Sequence, residues 1–319
     1  MKRRGQRTSA RMRFILIVAT LAVAARALPA RADTWRIALI GDTPYSSHER
    51  AELPKMLAAI AAENVDLIAH IGDIKHGRER CDDALFEDRR QLFDALPVPF
   101  VFVPGDNEWS DCDRTSAGAY DPRERLDRLR SLFWAGPASL GRRPVTLERQ
   151  PGAYPEHSRF RLGPVLFVTL NLPAGNNWGL TPEPREEWKR RNPQVIAWLK
   201  DSFALARQER LDGIVLLFHA NPGFRHFSQG LTHRAFGGFL EALRGEVLAF
   251  PGQVVAVHGD THISRVDRPL RDADGRTIAS FTRVEAFGYP LMGWTRAVID
   301  TESPALIRFD THPWPTPSP

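Results

Sequence analysis

The sequence is poor in several features that would point to other classes of protein. It contains only two cysteines among 319 residues, which excludes a small scaffold held together by many disulfides. Beyond residue 32, no segment has the ~20 consecutive apolar residues that a membrane-spanning helix needs. A G-x-S-x-G nucleophile motif is absent, and no internal repeat is visible. A serine hydrolase, a repeat protein and a multispanning membrane protein are therefore all disfavoured.

The charges along the chain are nearly balanced. It carries 43 Lys and Arg against 38 Asp and Glu, which gives a formal net charge of +5. The excess lies at the start, where residues 2–13 contain six basic side chains. Without them the chain is near neutral, so the composition indicates no preference for nucleic acid.

The first 32 residues have the pattern of a secretory signal peptide. A basic stretch precedes an apolar run at residues 14–25, and small residues lead to an A-x-A pattern at residues 30–32. We expect cleavage before Asp33 and export to the periplasm or the extracellular space, with no membrane span afterwards; an uncleaved anchor is the alternative. In an oxidising compartment, Cys81 and Cys112 are expected to form a disulfide rather than remain free thiols.

The chain after the leader opens with three apolar strand patterns separated by helical periodicity. The strand patterns occupy residues 35–40, 67–71 and 100–103, with helical patterns near 48–63 and 83–95. This order is typical of a βαβαβ unit with a parallel sheet. Because such crossovers are right-handed, all three strands bring their carboxyl ends to one sheet edge, where ligand sites of α/β proteins lie.

The remaining segments continue as one domain. Further strand patterns lie at residues 165–169, 213–218 and 254–257. Residues 263–309 alternate apolar and polar side chains, which predicts a second, mostly antiparallel sheet. No interdomain linker is visible, so one domain is expected over residues 33–312. The last stretch, 313–319, contains four prolines and predicts a disordered tail.

Residues that commonly ligate metals follow five of the predicted strands. Taken singly, a Gly-Asp pair is typical of a turn or a helix cap, and a lone histidine is typical of a packed core. Here such residues recur at one sheet edge, which indicates a metal site. Carboxylates and imidazoles together suit Mn²⁺, Fe or Zn²⁺. The candidate ligands are Asp42, Asp73, Asp106, His219, Asp260 and His262.

The order and spacing of these residues resemble the calcineurin-like metallophosphoesterase superfamily, whose motifs are GDxH, GDxx, GNH(D/E), a lone His and GHxH. The corresponding segments read GDTP at residues 41–44, GDIK at 72–75, GDNE at 105–108, His219, and GDTH at 259–262. The resemblance covers nearly the whole chain after residue 32. The GDNEW and HGDTH variants are similar to those of an exported subgroup. The resemblance implies a four-layer α/β/β/α sandwich of two mixed β-sheets flanked by helices.

The resemblance also implies two divalent metal ions that activate a water for attack on a phosphomonoester or phosphodiester. Asp42 and His262 would belong to the first metal site, and Asp73 would bridge both metals. The second site would be completed by Asp106, His219 and Asp260. The expected partner is a small-molecule phosphoester, and its identity, the metals and the oligomeric state stay open.

Several positions depart from the family's motifs. The first-motif histidine is Pro44, which has no ligating side chain, and the catalytic histidine is Asn107, which cannot act as a general acid at neutral pH. Asp106 and Asp260 replace an asparagine and a histidine, which makes the site richer in oxygen. Three outcomes stay open: a two-metal enzyme that uses another proton source, a one-metal enzyme of modest activity, and a phospholigand-binding protein without turnover.

Further candidates lie near the same edge. Asn107, Asp73 and Glu108 are the catalytic candidates, and Glu108 is expected to hold the amide of Asn107 or a nearby backbone group. His258 could replace a missing imidazole, because on an extended strand it shares a side with Asp260; a structural role beneath the site is the alternative. The substrate-binding candidates are Asn107, Arg225, Lys75 and His76.

Two further pairs have roles that the pattern leaves open. His76 and His226 are candidates to protonate the leaving group, although a surface or loop role is favoured for each. Trp109 and Trp178 could wall a pocket for a ring-bearing substrate, although core packing is favoured for both.

Overall fold

Strands and helices alternate through most of the chain in the computed structural model, which describes residues 33–179, 185–231 and 235–315. The expected signal peptide therefore lies outside the described residues. The strands are β1 (Thr34–Ile40), β2 (Leu67–His70), β3 (Phe100–Phe102), β4 (Glu148–Arg149), β5 (Ser158–Leu162), β6 (Val165–Thr169), β7 (Gly213–Leu217), β8 (Gln253–His258), β9 (Arg265–Asp267), β10 (Phe281–Glu285), β11 (Met292–Asp300) and β12 (Ile307–Trp314). The helices are α1 (Ser47–Ala62), α2 (Asp83–Asp94), α3 (Pro122–Phe133), α4 (Ala174–Asn177), α5 (Glu186–Gln208), α6 (Phe224–Ser228) and α7 (Gly237–Ala249).

The strands form two mixed sheets. The first has the order β12-β11-β1-β2-β3; β1, β2 and β3 are parallel, and β11 and β12 are antiparallel to their neighbours. The second has the order β4-β5-β6-β7-β8-β10-β9, with a parallel centre formed by β6, β7, β8 and β10. The βαβαβ unit predicted from the first three strand patterns is confirmed.

Three apolar layers hold the sheets and helices together. The layer between the sheets includes Leu39 and Ala69 from the first sheet and Phe167 and Val257 from the second. Helices α1, α2 and α3 cover the outer face of the first sheet, and α5 and α7 cover that of the second. This is the four-layer α/β/β/α sandwich that the sequence implied. In the described residues, no helix combines the length and apolarity needed to cross a membrane.

The C-terminal strands do not form a sheet of their own. β10 inserts beside β8 in parallel, with Phe281 opposite Val254, while β11 pairs with β1, with Ile299 opposite Trp35. The prediction of a second, mostly antiparallel sheet from residues 263–309 is therefore wrong. Alternation of apolar and polar side chains identifies a strand, but it carries no information about which strand is its partner.

The first two residues of the expected C-terminal tail, 313–319, belong to a strand. Pro313 and Trp314 belong to β12 and lie opposite Gly293 and Met292. β12 is the edge strand of the first sheet, where the missing N–H of a proline is tolerated. The indole N–H of Trp314 donates to Glu52 of α1 at 3.2 Å. Residues 316–319 lie outside the described residues.

Side chains of α1 fix the loop that links it to β1. Ser46 precedes the helix, and its hydroxyl oxygen accepts the backbone N–H of Glu49 at 3.1 Å, as an N-cap residue does. The carboxylate of Glu49 in turn accepts the backbone N–H of Tyr45 at 2.6 Å. The loop that carries the first motif is therefore held by hydrogen bonds close to the sheet edge.

Candidate metal centre

The carboxyl ends of parallel strands from both sheets meet at one edge, and the loops that follow them carry the predicted ligands. Asp42 follows β1, Asp73 follows β2, and His219 follows β7, and all three side chains are buried. Among the described residues, one ligand atom from each of these three lies within 4.8 Å of the others. Parallel topology thus assembles a cluster from residues that are far apart in the chain.

His219 connects this trio to the third motif. Its Nε2 lies 3.0 Å from Oδ1 of Asp106 and 3.4 Å from Oδ1 of Asp73. Its Nδ1 lies 2.9 Å from the carbonyl oxygen of Ile71, which can only accept a hydrogen bond. Nδ1 therefore carries a proton, and the other ring nitrogen faces the carboxylates, as in metal-binding histidines.

The last motif closes the cluster from the second sheet. Nε2 of His262 lies 3.4 Å from Oδ1 of Asp42. The backbone N–H of Asp260 donates to both carboxylate oxygens of Asp42, at 3.1 and 3.2 Å, and the backbone N–H of Asn221 donates to Oδ2 of Asp260 at 3.0 Å. The structure therefore brings all the predicted ligands to one place.

Several of these residues adopt a backbone conformation that is unfavourable for side chains other than glycine. The φ angles are 48° at Asp42, 61° at Asp73, 75° at Asp260 and 57° at His262. Each such residue costs on the order of 1–3 kcal/mol and persists only where its surroundings fix it. Strain of this kind clusters at functional sites, which supports a ligand role for these side chains.

Glycines before the aspartates leave the space that the cluster needs. A Cβ on Gly105 would lie 2.1 Å from Oδ1 of Asp73, and a Cβ on Gly259 would lie 2.2 Å from Oδ2 of Asp42. A side chain at either position would displace a candidate ligand. The glycines of the third and last motifs are therefore required by close approach.

Several carboxylates lie close together in this cluster, and their pKa shifts indicate whether the site suits a metal ion. Burial raises the pKa of Asp73 well above its usual value, and the charges of Asp106 and Glu108 raise it further. Burial also raises the pKa of Asp260 to about 6. Burial would lower the pKa of His219, but the charge of Asp73 overrides it and raises that pKa well above its usual value. Buried carboxylates that are costly to ionise together, with imidazoles beside them, fit a site for divalent cations.

An open pocket of about 310 Å³ leads to the cluster. Predicted residues that line it include His76, Asn107, Asp260 and His262, and residues that the sequence reasoning missed include Tyr45, Arg78, Asp111 and Arg114. A larger cavity of about 770 Å³ lies elsewhere, beside Asp212 and Leu306, and none of the candidate ligands lines it. The smaller pocket, unlike the larger cavity, therefore gives a ligand access to the candidate metal ligands.

Asn107 lies against the central carboxylate. Its side-chain amide donates to Oδ2 of Asp73 at 2.5 Å and lies 3.1 Å from the carbonyl oxygen of Lys75. Its backbone N–H donates to Oδ1 of Asp73 at 3.1 Å. The amide is therefore placed to orient Asp73, and it has no proton to transfer at neutral pH.

The structure does not support a direct catalytic role for Glu108 or a substrate contact for Lys75. Glu108 is fully buried, and its Oε1 accepts the backbone N–H groups of Gly105 at 2.5 Å and of Asp73 at 3.1 Å. It therefore positions the second and third motifs, which is the backbone-holding alternative. Lys75 is also fully buried, and its ammonium donates to the carbonyl of His76 at 3.1 Å, so it cannot reach a ligand in the pocket.

Arg225 is not brought to the cluster. It lies on α6, its side chain is 66% exposed, and it pairs with Asp267 at 3.0 Å in a separate surface depression. Its neighbour His226 also lies on α6 and does not line the pocket at the cluster. The short helix after His219 carries both side chains away, so the predicted phosphate contact by Arg225 is not supported.

His258 lies beneath the cluster and not in it. It is fully buried, its ring stacks on Phe218 with centroids 6.2 Å apart, and its Nδ1 lies 2.9 Å from the carbonyl oxygen of Gly259. Burial lowers its pKa to about 3, so the ring is neutral. The structural role is the one that the geometry favours, and the role as an extra ligand is not supported.

The expected disulfide is confirmed and lies directly under Asn107. Cys81 and Cys112 are bonded, with Cα atoms 5.9 Å apart. Their sulfur atoms lie 3.5 and 3.6 Å from the carbonyl oxygen of Asn107. Trp109, in the same loop, is fully buried with its ring edge-on to Trp178, which confirms core packing for this residue. The bridge and this packing together restrict the third motif.

Tyr45 is the main residue at the site that the sequence reasoning missed. Its hydroxyl donates to Asp73 and accepts from the amide of Asn107 at 2.8 Å. Its ring is edge-on to the rings of His76 and His262, with centroids 5.4 and 5.1 Å apart. The signal that could have found it is its position one residue after Pro44, in the first motif loop.

The comparison with protein families agrees with this geometry. The sequence matches the family described as calcineurin-like phosphoesterase over residues 36–264, which is more than half of the chain. The chain belongs to the calcineurin-like phosphoesterase family. It is therefore a metal-dependent phosphoric ester hydrolase by family.

Solved structures share the fold at low sequence identity. A dimetal phosphatase from Danio rerio is 15% identical, with a TM-score of 0.53, and the alignment covers 87% of this chain and 98% of that one. A purple acid phosphatase from yellow lupin (Lupinus luteus) is 10% identical, with a TM-score of 0.52, and the alignment covers 89% of this chain but only 52% of the lupin chain. None of the curated proteins is significantly similar in sequence. These likenesses show the two-sheet sandwich.

Proposed function

We propose that the protein is an exported enzyme that hydrolyses phosphomonoesters or phosphodiesters with the help of two divalent metal ions. The observation that carries the proposal is the convergence of buried carboxylates and imidazoles at one sheet edge, with ligand atoms of Asp42, Asp73 and His219 within 4.8 Å of one another. The family supplies the reaction class, and an open pocket gives an ester access to the cluster.

The side chains that would hold the metals are those of the motif loops. Metal bound there would offset the charge of the phosphate and lower the pKa of a bound water. Mn²⁺, Fe and Zn²⁺ all suit the mixture of oxygen and nitrogen donors. Since Pro44 supplies no ligand, Asp42 and His262 carry the first site together with the shared carboxylate. The residues are Asp42, Asp73, Asp106, His219, Asp260 and His262.

The chain's own groups bind and orient the ester. The amide of Asn107 orients Asp73 at the pocket, since its N–H groups are engaged by that carboxylate and by the hydroxyl of Tyr45. His76 is an imidazole of the pocket that lies outside the ligand set. Its Nδ1 accepts the backbone N–H of Arg78 at 2.9 Å, which leaves the proton of the neutral ring on Nε2. In this form His76 can donate a hydrogen bond to the ester, but a neutral imidazole does not protonate an alkoxide leaving group, so solvent would supply the proton for the leaving alcohol.

A second function is favoured by a specific observation at the same site. Asn107 occupies the position of the family's catalytic histidine, and its amide is engaged by Asp73 and the carbonyl of Lys75. A protein with this site could bind a phosphorylated ligand through its metals and release it unchanged. Turnover distinguishes the two functions, so one experiment tests both.

The test is hydrolysis of p-nitrophenyl phosphate and bis-p-nitrophenyl phosphate, after chelation and after addition of Mn²⁺. We expect metal-dependent turnover that Asp73→Asn abolishes together with metal binding, because the buried carboxylate faces both halves of the cluster. Asp274→Asn is the matched control, since that side chain is 66% exposed in a distant turn. Metal bound without turnover would favour the binding protein, and unchanged activity in Asp73→Asn would overturn the assignment.

The export part of the proposal rests on the sequence and the disulfide. The signal pattern of residues 1–32 precedes a chain whose cysteines are bridged and buried. The test is to express the full chain in a Gram-negative host and sequence the amino terminus of the exported protein. A start at Asp33 is expected, and an intact leader on protein retained in the cytoplasm would contradict export.

A further inference from the structure

Three aromatic rings pack together next to the pocket: Tyr45 and His76 line it, and Tyr289 lies beside Tyr45. Tyr45 is in the middle, with the ring of His76 edge-on at 5.4 Å and the ring of Tyr289 stacked at 6.3 Å between centroids. They come from three different loops: after β1, after β2, and between β10 and β11. We call these three side chains the aromatic wall.

Hydrogen bonds tie the aromatic wall to the candidate ligands. The hydroxyl of Tyr45 bonds to Asp73 and to the amide of Asn107. The carbonyl oxygen of Tyr289 lies 2.9 Å from Nδ1 of His262 and accepts a hydrogen bond from it, which leaves Nε2 facing Asp42. The wall therefore has a fixed position relative to the place where a phosphate would bind.

Tyr289 is the exposed member of the wall, while Tyr45 and His76 are partly buried. Tyr289 is 46% exposed, and Ile263, the residue after His262, is 51% exposed. Elsewhere the lining of the pocket includes the charged side chains of Arg78 and Arg114. A ligand bound at the cluster would thus contact charged side chains on one side and a planar aromatic surface on another.

We propose that the aromatic wall binds the leaving group, and that the substrate is a phosphoester whose alcohol carries a planar ring. This inference rests on the proposed phosphoester function. With the phosphate at the cluster, the ring of the alcohol lies along Tyr45 and stacks on the exposed face of Tyr289. Hydrolysis joins a water oxygen to phosphorus and breaks the bond from phosphorus to the alcohol oxygen, and the alcohol leaves with a proton from solvent.

The first test is a binding measurement that does not need turnover. Phenylphosphonate and methylphosphonate are titrated into the Mn²⁺-supplied protein by calorimetry. Wild type is expected to prefer phenylphosphonate roughly three- to tenfold, from the size of aromatic stacking, and Tyr289→Ala is expected to lose this preference. Tyr289→Phe should keep it. Leu291→Ala is the matched control, because Leu291 lies on the same turn and is 65% exposed.

The second test uses substrates. In Tyr289→Ala, KM should rise several-fold for phenyl phosphate and for a nucleoside monophosphate, and much less for glycerol 2-phosphate. Comparing the first two substrates shows whether the subsite prefers a simple aryl group or a nucleobase. If no ester is hydrolysed but the preference for phenylphosphonate still depends on Tyr289, the proposed phosphoester hydrolysis is wrong and the aromatic subsite is supported. Equal binding of the two phosphonates, or binding of neither, overturns the subsite even if esters are hydrolysed.

Discussion

The side-chain amide of Asn107 donates a hydrogen bond to Oδ2 of Asp73 over 2.5 Å. The motif resemblance implies a catalytic histidine at this position, and Asn107 stands there instead. The amide fixes the central carboxylate and gives no proton to a leaving group. Reactivity should therefore depend strongly on how well the alcohol leaves without help. Esters with acidic alcohols should be cleaved readily, and alkyl esters should be cleaved slowly.

Replacing Asn107 by histidine is the first prediction. We expect Asn107→His to raise kcat for an alkyl phosphate by roughly ten- to a hundredfold, because general acid catalysis helps a poor leaving group. The gain for p-nitrophenyl phosphate should be much smaller. Steady-state kinetics with both esters, at equal metal content, measure the difference.

The control for this prediction is Asn107→Ala, which removes the hydrogen bond to Asp73 without adding an acid. It should lower kcat for both esters by a similar factor. The site is tight, since a Cβ on Gly77 would lie 2.7 Å from Oδ1 of Asn107. Metal content and circular dichroism must therefore match those of wild type. An equal gain for both esters would show that the histidine acts other than by protonating the alcohol.

The disulfide is the subject of the second prediction. It closes a loop with a sequence separation of 31 residues, and its loss should lower the free energy of unfolding by about 3 kcal/mol. Both sulfurs touch the carbonyl of Asn107, so kcat should fall as well. Urea unfolding and kinetics of the Cys81→Ala, Cys112→Ala double variant measure the two effects. Dithiothreitol should lower the free energy of unfolding of wild type and leave that of the variant unchanged. A variant as stable as wild type would contradict a stabilising role for the disulfide.

The sequence was sufficient to predict that the candidate ligands lie together, because their placement depends on the sheet topology. Asp42 and Asp73 follow parallel strands, and parallel strands deliver their ends to one edge whatever their packing details. Arg225 and Lys75 were misplaced because the direction of a loop side chain depends on tertiary contacts. Tyr289 could not have been found, because its turn reaches the site only after β10 inserts beside β8, and no local pattern encodes that pairing.

The third prediction concerns the stability of the protein in acid and begins from a buried histidine away from the cluster. His157 is fully buried, its Nδ1 lies 2.6 Å from Oε1 of Gln150, and its ring stacks on Tyr154 at 5.4 Å. Burial lowers its pKa from 6.5 to about 4; the charge of Glu156 opposes this shift, and that of Arg191 adds to it. The folded protein therefore holds this ring neutral where the unfolded chain would protonate it.

The direction of the pH effect on stability follows from the difference between the pKa of His157 in the folded and in the unfolded chain. Above pH 6.5 the ring is neutral in both states and the contribution to stability is complete. As the pH falls from 6.5 towards 4, the unfolded chain takes up the proton first, and stability is lost by roughly 3 kcal/mol. His157→Gln should be less stable than wild type at pH 7 but should lose less between these values. Urea unfolding across this range, with the exposed His48→Gln as control, measures the slopes. Equal slopes for wild type and His157→Gln would show that this histidine does not control the acid response.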